Sequence, residues 1–411
     1  GQPWIAKEWL SQVLLAAAYG MFGWSGVTLV TVAAAGLAMA LVFRAVARQL
    51  NPAYAAGLTI AIAAVLTQIV IARPHVFTLP LAVLFATACF DAADRKAPPP
   101  WWLLLAVVLW ANLHGSFTLA FMIAGLAFLH LLITHGLDDR TTPGKWIIFG
   151  LLLPAAALVN PYGWTPFRIN LDMMAGNESM PLITEWQAFN AQREVIVLYG
   201  LMAAMALLIG LRTRLGWGKV IFVLFTLYMF MTHIRFVYVF FLLVPVVIAR
   251  NVAETYPTAA GGSQPGRRPV ALAVVAAGLA AFVAFAAVKP FAPPARRSID
   301  AAMAFIRDHK LAAGPVLNGY NLGGVLIFNG IKTYIDGRAE QLFRGPFITD
   351  FIDSTGPGGE KILRRMLADS GASWAIFPVI DVRIAMMADM PDWQKAYGDD
   401  YVAIFTRVPP Q

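Results

Sequence analysis

Between residues 25 and 289 the chain is built from long apolar runs separated by short polar breaks. Runs at about 25–43, 54–72, 75–91, 101–113, 117–135, 146–160, 196–211, 219–233, 235–249 and 269–288 read as about ten membrane spans. Crossing about 30 Å of hydrocarbon as an α-helix takes roughly 20 apolar residues, and several of these runs fall short of that. Residues 9–22 form a further apolar stretch of helical period, introduced by Glu8-Trp9. It is too short to span comfortably and reads as a helix lying in the interface; a short first span is the other reading. From Arg296 the pattern changes to that of a small mixed domain, after a linker stiffened by Pro290, Pro293 and Pro294. Ser298 reads as the N-cap of a helix at 299–311. Strands are expected at Pro315–Leu317, Lys332–Ile335, Trp374–Phe377 and Tyr401–Arg407, with helices near 357–370 and 381–390. The expected fold is therefore an α-helical polytopic membrane protein with a C-terminal α/β soluble domain. Its parts are an interfacial segment 1–24, a transmembrane core 25–289 and an outer-face domain 290–411.

Composition agrees. The 411 residues are 59% hydrophobic and 13% charged, more apolar than a soluble fold of this size needs. A formal net charge of +8 would point to nucleic acid in a soluble protein. Here Arg44, Arg48, Arg95, Lys96, Arg140, Lys145, Arg212, Arg214, Lys219, Arg250, Arg267 and Arg268 fall in alternate loops, against Lys7, Arg73, Arg168, Arg193, Arg235 and Lys289 in the others. That is the asymmetry of membrane topology, so the first set is expected in the cytoplasm, nucleic acid is not an expected partner, and the bilayer is. Residues 251–268, rich in Gly, Pro and Arg, read as a flexible cytoplasmic loop. The single Cys89 lies in an apolar run and excludes intrachain disulfides and Cys-based zinc sites.

The same topology sends a set of polar residues to the outer face. Trp110-Ala-Asn-Leu-His-Gly-Ser-Phe117 is a polar island between two apolar runs, and Glu8, Arg73, His75, Asn160, Arg168, Asp172, Glu178, Glu185, Arg193, His233 and Arg235 join Asn112 and His114 there. An unpaired polar group in hydrocarbon costs several kcal/mol, so such residues line a rim, face a cavity or pair with one another. Each alone can be a snorkelling side chain or a hydrogen-bonded corner. Together, arginines at a membrane surface suit a phosphate or pyrophosphate, and Glu8 or Glu185 suits a general base toward a hydroxyl. Trp186 beside Glu185 suits a sugar face. His75, His114 and His233 come from three loops without metal-binding spacing, so hydrogen bonding is favoured over a metal site, with a divalent metal left open. Asn160-Pro-Tyr-Gly-Trp164 reads as a turn with an aromatic anchor. In the last domain Asn318-Gly-Tyr-Asn-Leu-Gly-Gly324 reads as a packing turn, since its spacing is not that of a dinucleotide site. Tyr320, Asn321, Asp336 and Arg338 are its polar candidates for contacts at the membrane face, although Asp336 and Arg338 are close enough to pair with each other.

Gly1-Gln-Pro-Trp with Glu8-Trp-Leu, Trp110-Ala-Asn-Leu-His-Gly-Ser-Phe, Asn160-Pro-Tyr-Gly, Thr184-Glu-Trp, and Gly319-Tyr-Asn-Leu-Gly-Gly with Ile335-Asp-Gly-Arg resemble a large group of bacterial inner-membrane proteins over nearly the whole chain. That group looks like a branch of the C-type (GT-C) glycosyltransferase superfamily, to whose characterised members the resemblance is architectural. The resemblance implies a multi-span core, interfacial helices and an acid in the first outer loop, a polyprenyl-phosphate-linked sugar as donor and a glycan, lipid or protein acceptor. It also implies a multi-pass inner-membrane location with a periplasmic C-terminal domain. The superfamily's first span and the acid that follows it are not among these residues. Gly at position 1 and an apolar run beginning almost at once leave two readings, a piece of a longer polypeptide whose upstream span and acid are missing here or a protein that lacks the acid, and Glu8 is the nearest substitute for it. The expected function is sugar transfer from a polyprenyl-(pyro)phosphate donor at the periplasmic face. The alternatives are a non-catalytic assembly subunit of envelope glycan synthesis and a lipid-linked sugar transporter or flippase. A transporter calls for charge near the bilayer midplane, whereas these spans carry almost none.

Overall fold

The computed structural model describes residues 4–67, 70–137, 139–176, 178–260 and 299–408. The expected span at 269–288, the proline linker, Ser298 and residues 261–268 of the expected loop lie outside them; residues 251–255 of that loop instead continue the helix Val237–Thr255, whose backbone bonds carry on past the apolar run. The chain divides into two compact units. One comprises residues 6–168 and 185–292 and carries the apolar helices. The other comprises 1–5, 169–184 and 293–411, so the C-terminal domain takes in two earlier segments that the sequence reading assigned elsewhere.

The helical unit contains α1 (Trp9–Ala47), α2 (Pro52–Leu66), α3 (Thr78–Asp94), α4 (Leu103–Leu113), α5 (Thr118–His135) and α6 (Thr141–Ala157). After Thr165–Met174 follow α8 (Val195–Gly210), α9 (Trp217–Thr232) and α10 (Val237–Thr255), taking Thr165–Met174 as α7. Among the described residues four helical segments are long and apolar enough to cross a membrane: Trp9–Ala47, Pro74–Asp94, Gly115–His135 and Ile234–Thr255. The helices Pro52–Leu66, Leu103–Leu113, Val195–Gly210 and Trp217–Thr232 are apolar but shorter. Large apolar side chains such as Leu105, Leu151, Ile209 and Trp217 are exposed. Extensive apolar surface of this kind is costly in water and suits a lipid solvent.

The expected separation of 9–22 from the first span is visible as a break inside α1. Phe22 and Gly23 leave helical geometry, Gly23 at φ +58° and ψ −146°, a region open essentially to glycine. The chain folds back there closely enough that a Cβ on Gly26 would lie 2.1 Å from the Ala18 carbonyl oxygen. The α2 start is set locally: Asn51 caps it by accepting from the Ala53 N–H at 3.0 Å, and Pro52 occupies the first turn, where its missing N–H costs nothing.

The second unit has a four-stranded sheet of β1 (Val316–Asn318), β2 (Trp374–Pro378), β3 (Trp393–Gly398) and β4 (Val402–Arg407), in the order β1-β2-β4-β3. β1 pairs parallel to β2, and β4 runs antiparallel to both β2 and β3. Alternation along the strands splits the core in two. Ala375, Phe377, Ala403 and Phe405 pack with Phe351 and Leu363 on one face, while Trp374, Ile376, Val402 and Ile404 pack with Met303 and Ile306 on the other. The expected strand at Lys332–Ile335 does not form. Its backbone is instead held by Asn318, whose Oδ1 accepts from Tyr334 N–H at 2.8 Å and whose Nδ2 donates to the Ile335 carbonyl at 2.8 Å. The strand Trp393–Gly398 was not foreseen, because its polar positions Gln394 and Lys395 are exposed and break the apolar signal.

Candidate active site

Four short 3-10 turns link consecutive helices at one end of the helical unit or lie beside such a link, and with the residues that precede them they carry Arg73, His75, His114, Glu185, His233 and Arg235. Pro74–Phe77 leads into α3, Gly115–Phe117 joins α4 to α5, and Ile234–Phe236 joins α9 to α10. Thr184–Trp186 is pinned alongside by backbone bonds to and from the stretch after it: Phe189 N–H donates to Met231 O at 3.1 Å, and Gln187 O accepts from Ile234 N–H at 2.9 Å. The polar residues meet because each apolar helix must end before the chain can turn, and every turn returns at the same end.

The centre is a carboxylate–imidazole pair. Glu8, which precedes α1, places Oε1 3.2 Å from His114 Nε2, with side chains 20% and 9% exposed. His114 Nδ1 accepts the backbone N–H of Ser116 at 3.0 Å and lies 2.9 Å from the Ser116 hydroxyl. A ring nitrogen that accepts an N–H carries no proton, so the imidazole is neutral and its one proton sits on Nε2, toward Glu8. The turn geometry enforces this: His114 is extended at φ −162° and caps the Gly115–Phe117 turn with its own side chain.

Asn112 works one step behind this pair. Its Oδ1 accepts from Trp9 Nε1 at 2.8 Å, and its Nδ2 donates to the Val108 and Val159 carbonyls, both at 2.8 Å. With Ser11 Oγ on the Leu113 carbonyl at 2.6 Å, this ties the first turn of α1 to the end of α4 and so holds Glu8 against His114. Both amide hydrogens of Asn112 are thereby used within the protein.

His75 packs beside the pair, 6.4 Å from the His114 ring and 6.5 Å from Tyr238, whose hydroxyl bonds with Ser116 and Thr78. The charges of Arg235 and Arg73 both act on His75, which puts two guanidinium groups in reach of the same small region. Arg73 is ion-paired with Glu185. Arg235 lies over the Trp186 ring at 4.4 Å, and His233 meets the same indole edge-on at 5.2 Å. The arginine thus covers one face of the indole expected to receive a sugar. Glu185 and Trp186 accordingly hold the arginines through an ion pair and a cation–π contact. Arg193 does not join them by any direct bond; it is 67% exposed and lies 3.7 Å from its neighbour Glu194. His75 and His114 adjoin while His233 packs on Trp186, and among the described residues no group of three or more His, Cys, Asp or Glu side chains gathers to hold a metal ion.

The expected candidates of the C-terminal unit pair within that unit. Asp336 accepts from Arg338 Nε at 2.8 Å and from Nη2 at 2.7 Å, and Arg338 lies 5.9 Å from the Trp4 ring. Burial pushes the Asp336 carboxyl up, but the hydrogen bonds from Arg338 outweigh it and hold it below the usual carboxylate range. The glycine turn carrying Tyr320 and Asn321 is a packing element: a Cβ on Gly323 would lie 2.5 Å from the Ile335 carbonyl oxygen.

A second polar cluster escaped the sequence reading. Asp94 at the end of α3 contacts His130 Nε2 at 2.8 Å and the buried Lys219 Nζ at 2.9 Å, and Lys219 also donates to Asn251 at 2.8 Å. Lys219 looked like a loop charge because it stands near the start of an apolar run, but it is 2% exposed. Gly218 packs directly on His130, where a Cβ would meet its Cα at 2.5 Å; a small residue beside an isolated lysine was the available signal. Neither a protein-family model nor any characterised protein matches the chain.

Proposed function

We propose that this protein is a GT-C-type membrane glycosyltransferase that moves a sugar from a polyprenyl-(pyro)phosphate donor to an acceptor hydroxyl at the periplasmic face of the bacterial inner membrane. The observation that carries the reading is the Glu8–His114 pair at 3.2 Å, set at a helix-end rim beside two arginines. Acid, imidazole and guanidinium groups at one end of an apolar bundle match what transfer from a lipid phosphate requires.

In this reading the acceptor oxygen attacks the anomeric carbon as the bond from that carbon to the donor phosphate oxygen breaks. Glu8 takes the acceptor proton, and the neutral Nε2–H of His114 orients the carboxylate. Charge builds on the departing phosphate, and Arg73 and Arg235 meet it with forked hydrogen bonds. Glu185 and Trp186 hold those guanidinium groups in place before the donor arrives. His75 and His233 supply further hydrogen bonds at the rim.

The test is turnover of a panel of polyprenyl-phosphate and polyprenyl-pyrophosphate sugars by the protein in nanodiscs, with the released carrier read by mass spectrometry. Acceptor-dependent release that falls about a hundredfold in Arg235→Ala supports the transferase. Binding of a donor without release in any acceptor mixture moves the assignment to an assembly subunit. Movement of intact donor between leaflets moves it to a flippase.

A further inference from the structure

The end of the helical unit opposite Glu8 holds a cleft that the proposed transfer chemistry does not use. Parts of α1, α3 and α10 line a small open cleft there, and Arg48, Gln49, Thr87, Asp91, Asp94 and Arg250 supply its polar lining. Three of the four segments long enough to span a membrane end at this cleft: α1 just before Arg48, α3 at Asp94 and α10 just beyond Arg250. The end of a span is where lipid headgroups meet protein.

The lining carries two guanidinium groups and two carboxylates, but they are not equally available. Both oxygens of Asp94 are engaged, one by His130 at 2.8 Å and one by Lys219 at 2.9 Å. Asp91 and Arg48 have no ion pair within 4 Å among the described residues. Arg250 uses its Nε on Glu254 at 2.9 Å, which leaves its two terminal nitrogens for another acceptor. Asp91 feels the charges of Arg95 and Lys219 from outside the lining and of Arg48 and Asp94 within it, and Arg250 feels those of Asp94 and Asp91. A plain anion entering this space meets Asp91, and a plain cation meets Arg48 and Arg250. A ligand with one charge of each sign satisfies both, because complementarity is set by the arrangement of charge as well as by its sum.

We propose that this cleft seats the headgroup of a zwitterionic aminophospholipid, with the phosphate between Arg48 and Arg250 and the primary ammonium at Asp91. Arginine suits the phosphate because its planar fork donates two parallel hydrogen bonds. A primary ammonium brings three N–H donors to the carboxylate, whereas a quaternary ammonium brings none. The site therefore separates phosphatidylethanolamine from phosphatidylcholine by hydrogen bonding and from phosphatidylglycerol by charge.

The test is native mass spectrometry of the full chain in detergent, stripped of lipid and titrated with phosphatidylethanolamine, phosphatidylcholine or phosphatidylglycerol. Retention of phosphatidylethanolamine about fivefold above phosphatidylcholine is expected, with Arg48→Ala lowering it about tenfold. Asp91→Asn is expected to abolish the preference over phosphatidylcholine while leaving phosphatidylglycerol bound as well as before or better. Both side chains line an open cleft, and an unchanged melting temperature in detergent establishes that the variants are folded. An unchanged ethanolamine-over-choline ratio in Asp91→Asn, or phosphatidylglycerol displacing phosphatidylethanolamine from the unmodified protein, overturns the proposal. Free phosphoethanolamine competing at the same concentration as the lipid overturns the lipid as the source of the ligand.

Discussion

His114 Nε2 lies 3.2 Å from Glu8 Oε1, while the other nitrogen of the ring accepts the backbone N–H of Ser116 at 3.0 Å. The second contact decides the chemistry of the first. An imidazole whose Nδ1 is committed to an incoming N–H presents only a donor to the carboxylate. If Glu8 is the base, Glu8→Gln lowers kcat by about 10²- to 10⁴-fold with donor KM little changed. His114→Ala leaves the carboxylate in place but unoriented, and lowers kcat about tenfold. Carrier release measured under saturating donor checks both, and full turnover by Glu8→Gln removes the residue from the chemistry.

The reversal inside α1 rests on two glycines. A methyl group on Gly26 would sit 2.1 Å from the backbone oxygen of Ala18, and backbone cannot rotate away as a side chain does. Gly26→Ala is expected to cost about 1–3 kcal/mol and to loosen the segment that carries Glu8. Gly36, with nothing within 4 Å of its ideal Cβ, is the control in the same helix, and Gly36→Ala is expected to be near neutral. Thermal unfolding in detergent separates the two; equal melting temperatures would show that the fold-back is not tightly packed.

Asp94 and Lys219 form a buried ion pair in a setting where each charge depends on the other. Lys219→Met leaves Asp94 facing His130 alone and is expected to destabilise the helical unit by about 3–5 kcal/mol. The double variant Asp94→Asn with Lys219→Met removes both charges and is expected to recover a large part of that loss. A double variant no more stable than Lys219→Met would contradict the coupling.

In the C-terminal unit the Asp336 carboxyl is held below its ordinary value of about 3.9 by Arg338. A depressed carboxyl binds fewer protons in the folded state than in the unfolded one. Its stabilisation is therefore complete above the unfolded value and is lost as the pH falls through the folded one. Hydrogen exchange of residues 318–338 in the full chain, corrected for intrinsic rates, should show less protection at pH 3 than at pH 7. Asp336→Asn is expected to cost about 2 kcal/mol at pH 7 and to flatten this residue's part of the difference. Equal acid sensitivity in the variant would assign the effect to other carboxylates.

Much of the helical unit was legible because its signal is local. An apolar run has one stable form in hydrocarbon, the helix that satisfies its own backbone, so the expected spans among the described residues coincide with helices. Their lengths were less legible: α4 has 11 residues and α8 has 16, short of the roughly 20 that span a bilayer alone. The soluble unit was harder to read. Lys332–Ile335 has strand-forming composition, yet Asn318 takes the backbone bonds a neighbouring strand would have made.

The sequence by itself determined which segments are helical and that polar residues gather at helix ends, because the cost of an unpaired polar group in an apolar solvent acts residue by residue. Partnership was left to the tertiary structure. Only there does Glu8 meet His114 and Arg73 meet Glu185, while Asn112 turns inward to backbone carbonyls and Arg193 stays with its neighbour. Only there does Lys219, one basic residue among many in the sequence, become buried against Asp94. Pairing depends on how far each helix runs before it turns and on which helices lie side by side, and neither is encoded in the pattern around any single residue.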